Sequence, residues 1–209
     1  MEGQPGPDFA AKMARVLALY DDPPTDGRVI CVDEFGPLNL QPRPGHGWFP
    51  RREPARQWVT YTRTAGVRQM FAALDLASGQ LFYRFRDRKR WQEFLDFCKQ
   101  LRRRFPTGRL YLICDNYGAH QKAEVLAWCT DHDIELMFTP SNASWLNWIE
   151  CEFTALRYCT LDGSDYPSHV AQEQAIAHYI RWSNRYATPK RQFAIKSKIR
   201  RPDYLPNVA

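Results

Sequence analysis

Two short apolar runs, VICVD and LYLICD, each close on an aspartate, and they constrain the fold more than any other feature of the chain. Short runs of this kind, bounded by turn residues, read as strands buried on both faces. A carboxylate at the end of such a strand is costly unless it is paired, hydrogen-bonded or bound to a metal. The two positions are Asp33 and Asp115, and a third acid, Glu150, opens the amphipathic run in SNASWLNWIECEF. Two strand ends and a helix-borne glutamate offer the hard oxygen donors that Mg2+ and Mn2+ prefer. Such a set suits in-line attack on a phosphodiester, with two ions ~3.5–4 Å apart. For either aspartate alone the competing reading is a turn residue at a strand end. Both positions together, with Glu150 downstream, strengthen the ligand reading.

The rest of the chain places these ends in a fold. Residues 10–20 have helical spacing, and DDPPTDG then breaks the chain. A strand is expected over 29–32, followed by a long loop over 36–57 rich in Gly and Pro. Strands are expected at 58–63, 67–76 and 80–85, with a hairpin turn at SGQ. Residues 91–105 form a helix with Trp91, Phe94, Leu95, Cys98 and Leu101 on one stripe, stopped by Pro106 and Gly108. Strand 110–114, helix 122–130, strand 134–138, helix 148–158 and helix 168–185 follow. The core stripe of the last is Ile176, Tyr179, Ile180 and Ser183. The order predicts an α/β fold, a mixed sheet flanked by helices. Asp33 and Asp115 become neighbours if their strands are adjacent and parallel. The expected division is an N-terminal segment over 1–27, with residues 1–8 mobile, a catalytic domain over 28–187 and a basic tail over 188–209.

No apolar run approaches the ~20 residues of a membrane span, and the N-terminus lacks a signal-peptide pattern. Six cysteines without a CxxC pair read as reduced, buried thiols of a cytoplasmic protein rather than zinc ligands. A net charge of +6 allows an anionic partner. Three basic clusters stand out. One is Arg43, Arg51, Arg52 and Arg56 in the long loop, where Trp48 is a candidate to stack on a base, and one is Arg84, Arg86, Arg88, Lys89 and Arg90, diluted by Asp87. The third is the acid-free stretch from 181 to 201, including Lys190, Arg191, Lys196, Lys198, Arg200 and Arg201. Such clusters neutralise phosphates without reading sequence. A solvated face is the alternative for any one of them.

Supporting residues surround the acids. Asn116 is placed to bond a phosphate, to orient a carboxylate or to make a turn. His120 is read at the start of a helix, either assisting a water, contacting DNA or lying as a satisfied surface residue. Asn147 is expected to cap the Glu150 helix. Glu152 competes with Glu150 as third ligand, but two residues along a helix turn it away. Glu34, next to Asp33 in a strand, points to the opposite face. Trp145 and Trp148 either stack on unpaired bases or pack in the core.

The segments VDEFGPL, GHGWFP, CDNYGAH and SWLNWIE resemble the catalytic domain of bacterial insertion-sequence transposases of the mariner superfamily, a branch of the DDE transposases. The resemblance runs from about Ala10 to the C-terminus. The first Asp is followed by Glu, the second by Asn, and the third acid lies in an LN-x-IE context. The 34 residues between Asp115 and Glu150 match the spacing of that branch. The resemblance implies an RNase H-like fold. It also implies Asp33, Asp115 and Glu150 as a triad holding two Mg2+ or Mn2+ ions, and cleavage at element ends with transfer of the 3′-OH to target DNA. A homodimer on DNA, in a bacterial cytoplasm and at the nucleoid, goes with it. Only about thirty residues precede Asp33, too few for the helix-turn-helix domains of that family. A fragment without autonomous sequence-specific transposition is therefore expected. Two rival readings stay open: an RNase H-like nuclease without strand transfer, and a non-catalytic DNA-binding derivative.

Overall fold

The computed structural model describes residues 8–45, 52, 66–201 and 204. Five strands are described: β1 Gly27–Asn39, β2 Val67–Asp75, β3 Leu81–Arg86, β4 Arg109–Cys114 and β5 Ile134–Phe138. They form one mixed sheet in the order β3-β2-β1-β4-β5. The hairpin β2–β3 and the pair β1–β2 are antiparallel, whereas β1, β4 and β5 run parallel. Five helices accompany it: α1 Phe9–Asp21, α2 Trp91–Arg104, α3 Ala123–Asp131, α4 Ile149–Thr160 and α5 His169–Arg185. The expected α/β architecture is present. The strand expected at 58–63, with Trp48 and Arg51, lies outside the described residues.

Alternation along the strands divides the interior into two cores. Val29, Cys31 and Phe35 of β1 face one side, with Val16 and Tyr20 of α1, Phe153 and Leu156 of α4, and Ile176 and Ile180 of α5. Ile30 and Val32 face the other, with Phe94, Phe97, Cys98 and Leu101 of α2 and Val125 and Cys129 of α3. Each fully buried large side chain contributes about 1.5–3 kcal/mol. In α2 the buried stripe includes Phe97, which was not expected, while Trp91 and Leu95 pack at its margin. In α5 the buried positions are Gln172, Ile176 and Ile180, and Tyr179 and Ser183 lie at the boundary. The Ser168 hydroxyl accepts a hydrogen bond from the Ala171 amide at 3.2 Å and starts that helix.

β1 is longer than the apolar run that announced it. It continues past Asp33 to Asn39 through an irregularity between Phe35 and Leu38, around a cis Gly36–Pro37 bond. Residues 36–39, expected as loop, are therefore strand, because they keep pairing with β2 after β4 has ended. The flanking segments share the main core. Tyr20 contacts Phe193 at 4.8 Å between ring centroids, and Ile199 is buried. Of the six free cysteines, Cys31, Cys98, Cys114 and Cys129 are buried as expected, but Cys151 and Cys159 are exposed.

Candidate active site

The register between β1 and β4 brings the two aspartates level. Gly27 pairs with Arg109 and Cys31 with Ile113, so the same offset sets Asp33 beside Asp115. Both are odd-numbered positions, on the side of the sheet covered by α4. Asp115 follows the last residue of its strand, but Asp33 sits mid-strand, where pairing with β4 stops and pairing with β2 continues. Glu150 lies in the first turn of α4, whose N-terminal dipole favours a carboxylate.

Asn147 fixes the approach of α4, though not by capping it. Its side-chain nitrogen donates to the Val32 carbonyl at 2.9 Å and to Asp33 Oδ2 at 3.3 Å. The N-cap position belongs to Trp148, without a side-chain bond. Asn147 Oδ1, the atom a cap would use as acceptor, takes no backbone N–H among the described residues. Tyr20 completes the attachment. Its hydroxyl donates to the Leu146 carbonyl at 2.8 Å and accepts from the Trp148 amide at 3.3 Å.

Behind the aspartates, on the α2–α3 side, lies a second polar group. His120 is fully buried in the turn before α3, not on the surface at a helix start. Its Nε2 lies 2.8 Å from Glu34 Oε1 and its Nδ1 lies 3.0 Å from Asp115 Oδ1. Two carboxylate acceptors on one ring call for two N–H donors, the imidazolium. The ring also packs against Phe94, with centroids 4.0 Å apart. Strand alternation pointed Glu34 to this face, but nothing in the spacing of the two residues paired it with His120. The Asn116 side chain donates to the Thr139 carbonyl, joining the ends of β4 and β5.

The charges act on one another. Burial pushes Asp33 up to about 7. The Glu34 amide opposes that shift, and the negative charges of Glu34, Asp115 and Glu150 add to it. Burial and the charge of Asp115 also raise Glu150, with Arg157 opposing. Burial acts upward on Asp115 too, but the hydrogen bonds from His120 and the Tyr117 amide, with the charges of His120 and Lys89, hold it below its ordinary value. Burial works against the charged form of His120, yet its bonds to Asp115, Cys114 and Glu34 bring it to about 12. The result is a concentration of negative potential from three oxygen donors, backed by one buried cation.

This donor chemistry fits a hard divalent cation. Among the described residues no three His, Cys, Asp or Glu side chains are yet close enough to grip an ion. The three carboxylates act on one another through charge, and binding an ion requires their side chains to draw in.

Other expected site residues are dispersed. Glu152 is turned away and pairs with Lys190 at 2.6 Å, so that lysine is tied to α4. Arg200 is likewise engaged, with Asp21 at 2.6 Å and the Phe193 carbonyl. Arg90 precedes α2, its amide and guanidinium both donating to the Glu93 carboxylate in the first turn. Arg88 and Lys89 are exposed beside it, and Lys89 Nζ lies 4.9 Å from the Tyr117 ring centroid, next to Asp115. Arg52, Arg191, Lys196, Lys198 and Arg201 are exposed. Trp148 packs on Tyr20 and Phe193, whereas Trp145 is 40% exposed.

No curated protein matches the chain. Solved structures do. The Mos1 transposase paired-end complex with left transposon end aligns with a TM-score of 0.62 at 14% identity, over 82% of this chain and 53% of that one. The Mos1 mariner paired end complex with Mn aligns at 0.63 and 14%, over 82% and 53%. The Mos1 Strand Transfer Complex aligns at 0.63 and 13%, over 82% and 52%. The chain thus spans about half the length of the Mos1 chains and shares their RNase H-like fold. The sequence pattern of the DDE superfamily endonucleases matches residues 28–169, a segment that contains Asp33, Asp115 and Glu150. The chain belongs to the DDE superfamily endonuclease family.

Proposed function

We propose that the chain is the catalytic core of a DDE transposase of the mariner superfamily, from a bacterial insertion sequence, and that it cleaves and joins DNA phosphodiesters. The observation that carries this reading is the placement of Asp33 on β1 beside Asp115, the residue after the adjacent parallel strand β4, with Glu150 within charge range of both. Residues 28–187 form the catalytic domain, with 1–27 and 188–209 as flanking segments.

In this reading Asp33, Asp115 and Glu150 hold two Mg2+ or Mn2+ ions. Bound there, the ions supply Lewis acidity, favouring deprotonated water and offsetting charge on the phosphate. The protein's own work is positioning. Asn147 holds Oδ2 of Asp33 and the Glu34 amide holds Oδ1, which together fix the orientation of the carboxylate. His120 takes Oδ1 of Asp115 and leaves Oδ2 to face the site. Tyr20 and Asn147 anchor the turn from which α4 presents Glu150. Lys89 and the exposed arginines beside it supply phosphate contacts at the rim. A water attacks the phosphodiester at an element end and frees a 3′-OH, which then attacks target DNA. A homodimer holding paired ends is the proposed working form.

The test is a joining assay with a labelled oligonucleotide and a supercoiled plasmid in Mn2+, comparing the protein with Asp115→Asn. Labelled plasmid formed by the unmodified protein alone supports transfer. Nicks without joined product assign the chain to simple nuclease chemistry instead.

A further inference from the structure

The outward face of α5 carries aromatic residues that the acidic centre does not use. Tyr179, Trp182 and Tyr186 recur at spacings of three and four, which places them on one stripe of the helix. Their ring centroids are 5.9 Å apart for Tyr179–Trp182 and 5.7 Å for Trp182–Tyr186. Trp182 is 53% exposed and Tyr186 71%. The fold does not need these two rings, because Gln172, Ile176 and Ile180 attach α5 to the core.

Arg181 and Arg185 lie one turn apart beside the rings, exposed, and neither forms an ion pair among the described residues. From Gln174 to Pro202 the sequence contains no acidic residue. Large rings with unpaired arginines suit two kinds of occupant, a protein interface or unpaired bases. The charge separates them. A protein partner would have to bring its own acids, and a second copy would set like charges against each other. A nucleic-acid strand brings one phosphate per nucleotide and a flat face on every base. A duplex covers its base faces by stacking, so the exposed rings select the single strand.

We propose that this face of α5 is a stacking platform for single-stranded nucleic acid, with Trp182 and Tyr186 taking bases and Arg181 and Arg185 taking phosphates. The choice of DNA rather than RNA rests on the function proposed above; the platform itself rests only on α5.

The test measures anisotropy of labelled oligothymidine, and of a labelled duplex, with Asp115→Asn protein in chelator. Cleavage is then silent, and failure of the nuclease reading cannot affect the result. Trp182→Ala and Tyr186→Ala, both at exposed positions, are compared after circular dichroism shows an unchanged fold. Each is expected to weaken single-strand binding roughly tenfold and leave duplex binding unchanged, since stacking on one ring is worth about that factor. Trp182→Phe should restore most of the loss. Single-strand affinity unchanged in both alanine variants overturns the proposal. Self-association in sedimentation that Trp182→Ala abolishes would also overturn it, by assigning the face to a second copy.

Discussion

Replacing His120 with leucine tests how the acidic centre is held from behind. The histidine side chain has no exposure, and that of Glu34 is 6% exposed, so the Glu34–His120 contact at 2.8 Å is a buried ion pair. Leucine fills similar space against Phe94, so the lost term is the charge partner rather than packing. Asp115, 39% exposed, can turn to water, but Glu34 cannot. Breaking one side of a buried pair costs about 3–5 kcal/mol. With a urea slope of roughly 2–3 kcal/mol per molar, the midpoint should fall by about 1–2.5 M. The double variant Glu34→Met with His120→Leu should recover most of that loss, because an apolar pair leaves no stranded charge. Urea denaturation of the four proteins measures both quantities. A His120→Leu penalty below ~1 kcal/mol, or a double variant as unstable as the two penalties added, would refute the buried pair.

Three further outcomes follow from the same geometry. Folding raises Asp33 from 3.8 to about 7, so the folded state binds the extra proton in that window and stability falls as pH rises through it. Asp33→Asn should therefore stabilise the metal-free protein at pH 8 and have little effect below pH 4, read by thermal melting. Because the same proton must leave before a cation binds, calorimetry should show Mn2+ affinity dropping about tenfold per unit as pH falls below 7. Asn147→Ala should cost about 1–3 kcal/mol in urea denaturation, since it strands the Val32 carbonyl near the centre of the sheet.

The parts of the fold that were legible in the sequence are those set by local periodicity. Apolar runs marked β4 and β5 to within a residue, and 3.6-residue spacing marked α1, α2 and α5. The end of β1 was hidden, because Gly36 and Pro37 signal a loop while the partner strand β2, distant in sequence, holds the segment in the sheet. The candidate site was legible as three acids because each opens or follows a recognisable element or lies in one. Its supports were not. Asn147 resembled a cap, yet its Oδ1 takes no backbone N–H among the described residues, and its amide nitrogen bonds the Val32 carbonyl, 115 residues away. Glu34 and His120 are 86 residues apart and meet only because the β1 pleat turns Glu34 toward α2. Lys190 and Arg200 looked like free cations, since Glu152 and Asp21, their partners, come from other elements.

The proposed function makes Asp33, Asp115 and Glu150 a metal-dependent centre for cutting DNA. The decisive experiment incubates supercoiled plasmid at low salt with the protein and with Asp33→Asn, Asp115→Asn and Glu150→Gln, in Mn2+, in Mg2+ and in chelator. Nicking by the unmodified protein should require the divalent ion and be lost in all three variants. Nicking that survives in chelator, or that any of the three variants retains in full, would contradict it.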